Sequence, residues 1–379
     1  MKLIAATLYA LRIPLVEAFD HSAAQRRCAD SVVVRVRDET GVEGFGEGAP
    51  RPYVTGETVE AMLGHLAHAL WPRVAEREIP GETLDALAAF VPDVPLPGAV
   101  AAHASRAALE LAVVDCALRR AARPLAALLP PRRAIVTYSG VVPAGSATRA
   151  ARHARQMRAI GLRHVKVKVG GDDDVERVRA VRDALGPDVS LRLDANGGWT
   201  FARAVEVLDA VAPLGIAAVE QPLPRGPVDE LVRLRRATTV PVMADESLVT
   251  PADAEALVAA RAVDFFNVRV SKCGGLARAS AIARRGAAAG VGVQVGSQVG
   301  ETAILSAAGR HLAASLPEVA FVEGSFGTLL LAEDVSVESV RFGHRGEAPV
   351  LGGHGLGIQV VEARLRARAV TVRELTGER

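Results

Sequence analysis

Five polar residues recur at a nearly fixed interval through the middle of the chain: Lys168, Asp194, Glu220, Asp245 and Arg269, with Glu323 two intervals further on. The spacing, 24 to 26 residues, is that of one strand, one helix and their loops. Each residue therefore ends a strand. In a closed parallel barrel the strand ends converge on one face, so side chains distant in sequence meet in one pocket. Three carboxylates and a lysine gathered in this way predict a metal site with a base beside it.

Around these residues, short β-rich runs alternate with helical stretches rich in Ala, Arg and Leu. The runs are Ile135 to Gly140, His164 to Val169, Ser190 to Asp194, Ala217 to Glu220, Val240 to Asp245, Phe265 to Val270, Val291 to Val295 and Val319 to Glu323. Eight of them predict an α/β fold, a (β/α)8-type barrel over residues 131–330. Residues 1–130 pattern differently. Strand-like Leu3 to Arg12 and Ser31 to Val36, a turn at Asp38 to Gly41 and a segment ending in Gly44, Gly46 and Gly48 read as an antiparallel meander. Helical stretches over Thr58 to Ala75 and Ala99 to Arg120 follow, and Pro130-Pro131 marks a boundary. Residues 331–379 carry too little pattern for a further barrel and are expected to pack back on the N-terminal α+β domain.

The 379 residues suit a barrel with a smaller second domain. A net charge of +2, with both signs mixed along the chain, gives no footprint for nucleic acid and favours a small-molecule partner. Three scattered cysteines argue against a disulfide framework. No signal-like or membrane-spanning stretch is seen, so a cytoplasmic protein is expected. Gly44-Phe-Gly-Glu-Gly48 lacks the spacing of a dinucleotide loop, and the nine histidines form no zinc-protease pattern.

In His164-Val-Lys-Val-Lys-Val169, alternation sends the valines to one face and Lys166 and Lys168 to the other, inward at the mouth. Two adjacent ammonium groups disfavour each other's charge, which is expected to lower the pKa of at least one and suit it to proton transfer. Asp194, Glu220 and Asp245 would repel unless they share a cation, and all-oxygen ligation selects Mg²⁺ or Mn²⁺.

Lys166-x-Lys168, Asp194-Ala-Asn196, Glu220-Gln-Pro222, Ala244-Asp-Glu-Ser247 and Cys273-Gly-Gly275 resemble the enolase superfamily, in particular its muconate-lactonizing-enzyme-like subgroup. The resemblance extends to Gly352-Gly-His-Gly-Leu-Gly-Ile358 and so covers essentially the whole chain. It implies a capping domain built from both ends of the chain, and a barrel holding Mg²⁺ or Mn²⁺ through Asp194, Glu220 and Asp245. It further implies abstraction of the proton next to a substrate carboxylate, with the metal stabilising the enediolate. Lys168 matches the family's acid/base and Lys166 its electrostatic helper; the family also implies a homo-oligomer.

Two departures stand out. Where the subgroup carries a second acid/base lysine at the sixth strand, this chain has Asn267-Val-Arg269, and arginine is a poor proton shuttle. Lys272, three residues on, is an alternative acid/base. Before Gly327-Thr-Leu-Leu-Leu331, where dipeptide epimerases carry an Asp-x-Asp pair, stand Gly324 and Phe326, with Glu323 the nearest acid. A one-base cycloisomerase or dehydratase working from Lys168 is accordingly expected. The alternatives are a racemase or epimerase of an N-substituted amino acid or dipeptide, and a non-catalytic relative that binds metal and carboxylate. Candidate substrate contacts are His21, Arg51 and Tyr53 in capping loops, Asn196, Ser297 and Gln298 at the rim, and Glu323.

Overall fold

The computed structural model describes residues 1–21, 24–328 and 330–377; the side chains of residues 19–26 and of 328 lie outside the description, and with them candidate His21. Three long N-terminal strands, β1 (Leu3–His21), β2 (Ala24–Asp38) and β3 (Glu43–Gly48), form an antiparallel meander. The helix His103–Arg120 lies across it, buried along most of its length. The glycines of β3 make that packing possible. A methyl group built on Gly44, Gly46 or Gly48 would overlap the helix at Cys116, Ala108 or Ala104, so the Gly-x-Gly-x-Gly run exists for close approach of backbone to backbone.

A short antiparallel pair joins β4 (Ile135–Thr137) to Glu347–Pro349. The barrel then runs β5 (Gly140–Val142), β6 (His164–Lys168), β7 (Ser190–Asp194), β8 (Ile216–Glu220), β9 (Val242–Ala244), β10 (Phe265–Val268), β11 (Gly292–Val295) and β12 (Phe321–Val322). These eight are parallel neighbours in chain order in one curled sheet. The amide of Ser139 donates to the Val322 carbonyl at 2.8 Å and draws the two edges together. The run expected over Ile135 to Gly140 thus divides in two. Its first half pairs with a segment two hundred residues away, and only its last residue belongs to the barrel. A helix follows each of the first seven barrel strands, and among the described residues no α-helix lies between Val322 and Glu362.

The strand β13 is the Glu347–Pro349 partner already met, and β14 (Ala369–Thr376) pairs antiparallel with β1, Ala5 opposite Thr376 and Ala10 opposite Thr371. The four-stranded order is β14-β1-β2-β3, so the capping sheet draws on both ends of the described chain. Inside the barrel, Ala218, Met243 and Phe321 form a small apolar floor, on which the Arg192 guanidinium stacks 3.9 Å from the Phe321 ring centre. Among the described residues no helix is long and apolar enough to cross a membrane.

Candidate active site

Register places the polar residues. Lys168 pairs with Asp194 and Asp194 with Glu220 across β6, β7 and β8, so three inward side chains stand side by side at the strand ends. Asp245 and Arg269 follow directly after β9 and β10. Asp194, Glu220 and Asp245 are wholly buried, and Lys166, Lys168 and Arg269 nearly so.

Every carboxylate here faces a cation. Lys166 Nζ lies 3.0 Å from Asp194, 3.0 Å from Glu220 and 2.7 Å from Glu323. Lys168 Nζ donates to Asp194 Oδ2 at 2.7 Å and to Asn196 Oδ1 at 2.8 Å. Arg269 Nη2 bridges Glu220 Oε1, at 3.2 Å, and Asp245 Oδ2, while Nη1 donates to Gln298 Oε1 at 2.9 Å. Asn267 and Gln294 each donate to Glu220, at 2.7 and 2.9 Å. Glu323 turns into the barrel between Lys166 and Arg192 and also lines the pocket.

The field differs from the one expected of a lysine pair. Burial alone would lower the Lys166 pKa, but Asp194, Glu220 and Glu323 outweigh both burial and the neighbouring cations and hold its ammonium above the ordinary range. Burial works against the charged form of Asp194, yet Lys166 and Lys168 hold that carboxyl below its usual value. Burial and the neighbouring Asp194 push Glu220 up to about 7. Burial and Asp245 push Glu246 up to about 8; its Oε2 is buried without a hydrogen-bond partner, while Oε1 accepts from Asn196 at 3.1 Å.

Backbone strain marks the same spot. Asn196 (φ 45°) and Gln221 (φ 38°) are left-handed non-glycine residues one or two positions past the strand-end acids. The Gln221 side chain accepts from the amides of Asp245 and Ser247 at 3.0 Å and donates to Leu223 O at 2.7 Å, fixing the loops beside the acids.

Lys272 is placed elsewhere. It is sealed from solvent, and its Nζ donates to Asp245 O, Asp245 Oδ1 and Asn267 O at 2.7 to 2.8 Å, which leaves it braced behind Asp245 and outside the pocket lining. Its own carbonyl accepts from His103 Nδ1 at 2.7 Å, a bond from the capping helix into the barrel loop. Just beyond it, Gly275 (φ 119°) lies so close to Glu110 that any side chain would collide with that carboxylate, which explains the Gly-Gly after Cys273.

The residues that meet in the pocket are Tyr53, Lys166, Lys168, Asn196, Arg269, Ser297, Gln298 and Glu323. Ser297 Oγ is buried there without a hydrogen-bond partner. Arg51 is set apart from them. Its guanidinium donates to the carbonyls of Asp30, Pro50 and Val299, at 2.7 to 3.0 Å, and so clamps the cap to the loop after β11. Sequence reasoning missed Arg192, Asn267, Gln294, Glu246 and Glu301. The first three lie two residues before a strand-end position and were reachable by the alternation that found Lys166. Glu301, which accepts from the Gln298 amide at 2.6 Å and is pushed up to about 8 by burial, left no such signal.

The His103 contact carries a pH signature. Burial holds its pKa at about 4, so it is neutral in the fold and takes up a proton on unfolding below about 6.5. Its contribution is present above that pH and is lost as pH falls toward 4. Denaturant titrations should show His103→Gln losing less stability than the parent between pH 6.5 and 4, by roughly 2 to 3 kcal/mol. Parallel curves for the two proteins would remove the histidine from the acid response.

A curled eight-stranded parallel sheet, an antiparallel cap and a lysine and acid cluster at the strand ends define a class of barrel enzymes. The chain belongs to the mandelate racemase and muconate lactonizing enzyme group of the enolase superfamily: residues 4–130 match the family's N-terminal domain and residues 149–364 its enolase C-terminal domain-like part. It is 32% identical to a hydrophobic dipeptide epimerase of Enterococcus faecalis, over 93% of this chain and 99% of that protein. It is 30% identical to an N-succinyl-L-Arg/Lys racemase of Bacillus cereus over 98% of each, and the crystal structure of the Bacillus cereus racemase superposes with a TM-score of 0.91, at 28% identity over 99% of this chain and 100% of that one. Muconate cycloisomerase 1 of Rhodococcus opacus is 30% identical, over 92% of this chain and 94% of that protein. A dipeptide epimerase from Enterococcus faecalis complexed with Mg and the dipeptide L-Leu-L-Tyr superposes with a TM-score of 0.85, at 28% identity over 95% of this chain and all of that one. The chain is thus an enolase-superfamily enzyme. Among these relatives epimerases and racemases outnumber cycloisomerases, which favours the racemase or epimerase alternative over the one-base cycloisomerase or dehydratase expected from Arg269.

Proposed function

We propose that this enzyme abstracts the α-proton of an N-substituted amino acid or dipeptide, with Lys168 as the base, and that epimerisation or racemisation is the outcome. The observation that carries this is the placement of Lys168 and Arg269 in one pocket. Their strands, β6 and β10, are four apart in a ring of eight, so Arg269 stands across the pocket from Lys168, where its fixed charge would steady the enediolate while water returns the proton on the face away from Lys168. Asn196 orients Lys168, and Asp194 and Lys166 set the charge around it.

Asp194, Glu220 and Asp245 are the residues that would hold a divalent cation, Mg²⁺ before Mn²⁺ in view of the Mg-bound relative. Among the described residues no three acid, histidine or cysteine side chains are grouped to hold an ion as they stand. The donor chemistry nevertheless fits, since three buried, oxygen-only carboxylates converge where Lys166 and Arg269 now span them. A bound cation would supply charge to offset that developing on the substrate carboxylate.

One observation favours a second outcome. Asp245 and Glu220 hold the Arg269 pKa well above its ordinary value against the effect of burial, and Lys272 is sealed behind Asp245, so Lys168 is the one lysine in the pocket not surrounded by three acids. From such a site a syn elimination or ring closure needs no second base. Incubation of N-acyl amino acids, dipeptides, β-hydroxy acids and a muconate in ²H₂O with Mg²⁺, read by NMR and chiral chromatography, separates the two. Deuterium in both configurations is expected for epimerisation; loss of water or ring closure would select the second reading. Full retention of the α-proton across the panel would sink both.

A further inference from the structure

Three aspartates in a row, Asp172, Asp173 and Asp174, follow the loop after β6, and only the third is buried. Asp174 opens the helix Asp174–Leu185, and four donors converge on its carboxylate. Oδ2 accepts from the Gly170 amide at 2.9 Å and from Trp199 Nε1 at 2.8 Å, and Oδ1 accepts from Arg177 Nη1 at 2.7 Å. The Gly171 amide is shared between the two oxygens, at 3.0 and 3.2 Å. Arg177 in turn donates from Nε to Gly145 O at 2.6 Å. One buried carboxylate thereby joins the loops after β5, β6 and β7.

Two of these loops carry the reacting end of the site. Gly170 lies two residues past Lys168 and Trp199 three past Asn196, and the Lys168 and Asn196 side chains meet at 2.8 Å. Asn196 sits in a strained left-handed conformation, which persists only where its surroundings over-determine it. Toward β8 the turn is fixed by amide bonds from Gly197 to Gln221 O at 2.8 Å and from Trp199 to Pro222 O at 3.2 Å. Toward β6 it is tied by the Trp199 indole on Asp174. Gly198 packs so closely there that a methyl group on it would stand 3.1 Å from Gly170 Cα. Because every partner of Asp174 is a donor, an amide in its place would turn an NH₂ group toward either the Trp199 edge or the Arg177 edge, and one tie would break.

We propose that Asp174 is a positioning residue for the base: by tying the loops after β6 and β7 it sets Lys168 against Asn196. This role rests on the α-proton chemistry given to Lys168 above. The test uses the full chain with Mg²⁺ and two probes, N-acetyl-L-leucine and L-alanyl-L-leucine, in ²H₂O. Asp174→Asn should lower kcat for α-proton exchange by about 10 to 10²-fold with KM within about threefold, the pattern of a misplaced base and not of a lost binding contact. Asp264→Asn is the control. Asp264 likewise holds a strand amide, Val242 N at 2.9 Å, and an arginine, Arg235, but at the opposite end of the barrel, so kcat should stay within about twofold. Trp199→Phe keeps a ring and drops the N–H; it should lower kcat by about threefold to tenfold, and it decides the matter if Asp174→Asn does not fold. Parent kcat in Trp199→Phe, equal losses in Asp174→Asn and Asp264→Asn, or a change confined to KM would overturn the assignment. Should neither probe exchange in the parent, crystal structures in chelator decide separately. A Lys168 to Asn196 contact opened by about 1 Å in Asp174→Asn keeps the positioning role and sinks the chemistry, whereas an unchanged 2.8 Å contact sinks the role.

Discussion

Lys168→Ala should slow α-proton exchange by about 10² to 10⁴-fold, the range a positioned general base contributes. The loss is chemical and not structural, because Asp194 keeps its 3.0 Å contact with Lys166 when Lys168 is removed. Calorimetric Mg²⁺ affinity should therefore change little beside the rate. Lys168→Arg is the sharper control: it retains the positive charge next to Asp194 and Asn196 but cannot give up its proton near neutral pH, so it should fall as far as alanine. Exchange by either variant at the parent rate would show that another group takes the proton.

Arg269→Met should lower the stability of the metal-free protein by about 3 kcal/mol, at the lower edge of what is lost when one partner leaves a buried ion pair. The edge applies because Glu220 keeps Lys166, Asn267 and Gln294, and Asp245 keeps Lys272. Added Mg²⁺ should restore the loss by mass action and bind more tightly than in the parent, since the guanidinium that spans Glu220 and Asp245 no longer competes for them. Urea titrations with chelator and with Mg²⁺ read both effects. A variant as stable as the parent in chelator, with unchanged Mg²⁺ affinity, would show that Arg269 carries no charge balance at the site.

Much of this site could be read in advance because the barrel turns a one-dimensional interval into a three-dimensional cluster. Lys168, Asp194 and Glu220 end consecutive strands in register, so equal spacing in sequence became adjacency in space. Asn267 and Gln294 escaped because uncharged amides carry no electrostatic signal, and only alternation along β10 and β11 points to them. The first barrel strand was misplaced for a different reason. Ile135-Val-Thr137 has the composition of a strand and is one, but its partner is Glu347–Pro349, and no local pattern reveals a pairing that distant. The short helix Leu84–Phe90 gives no such signal, because two turns of nearly all apolar residues are too few to show a helical period. The preference for one-base chemistry rests on a single substitution, Arg269, whereas the relatives aligned over most of the chain include more epimerases and racemases than cycloisomerases.

The pairing of β14 with β1 sets an order of events during synthesis. β1 leaves the ribosome with one edge unsatisfied, and its partner along that edge is translated only after the whole barrel. Until then β1 offers an open row of amides and carbonyls beside a finished barrel. A nascent chain stalled before residue 369 would carry a lid lacking its outer strand, with adhesive backbone exposed to whatever extended peptide lies nearby.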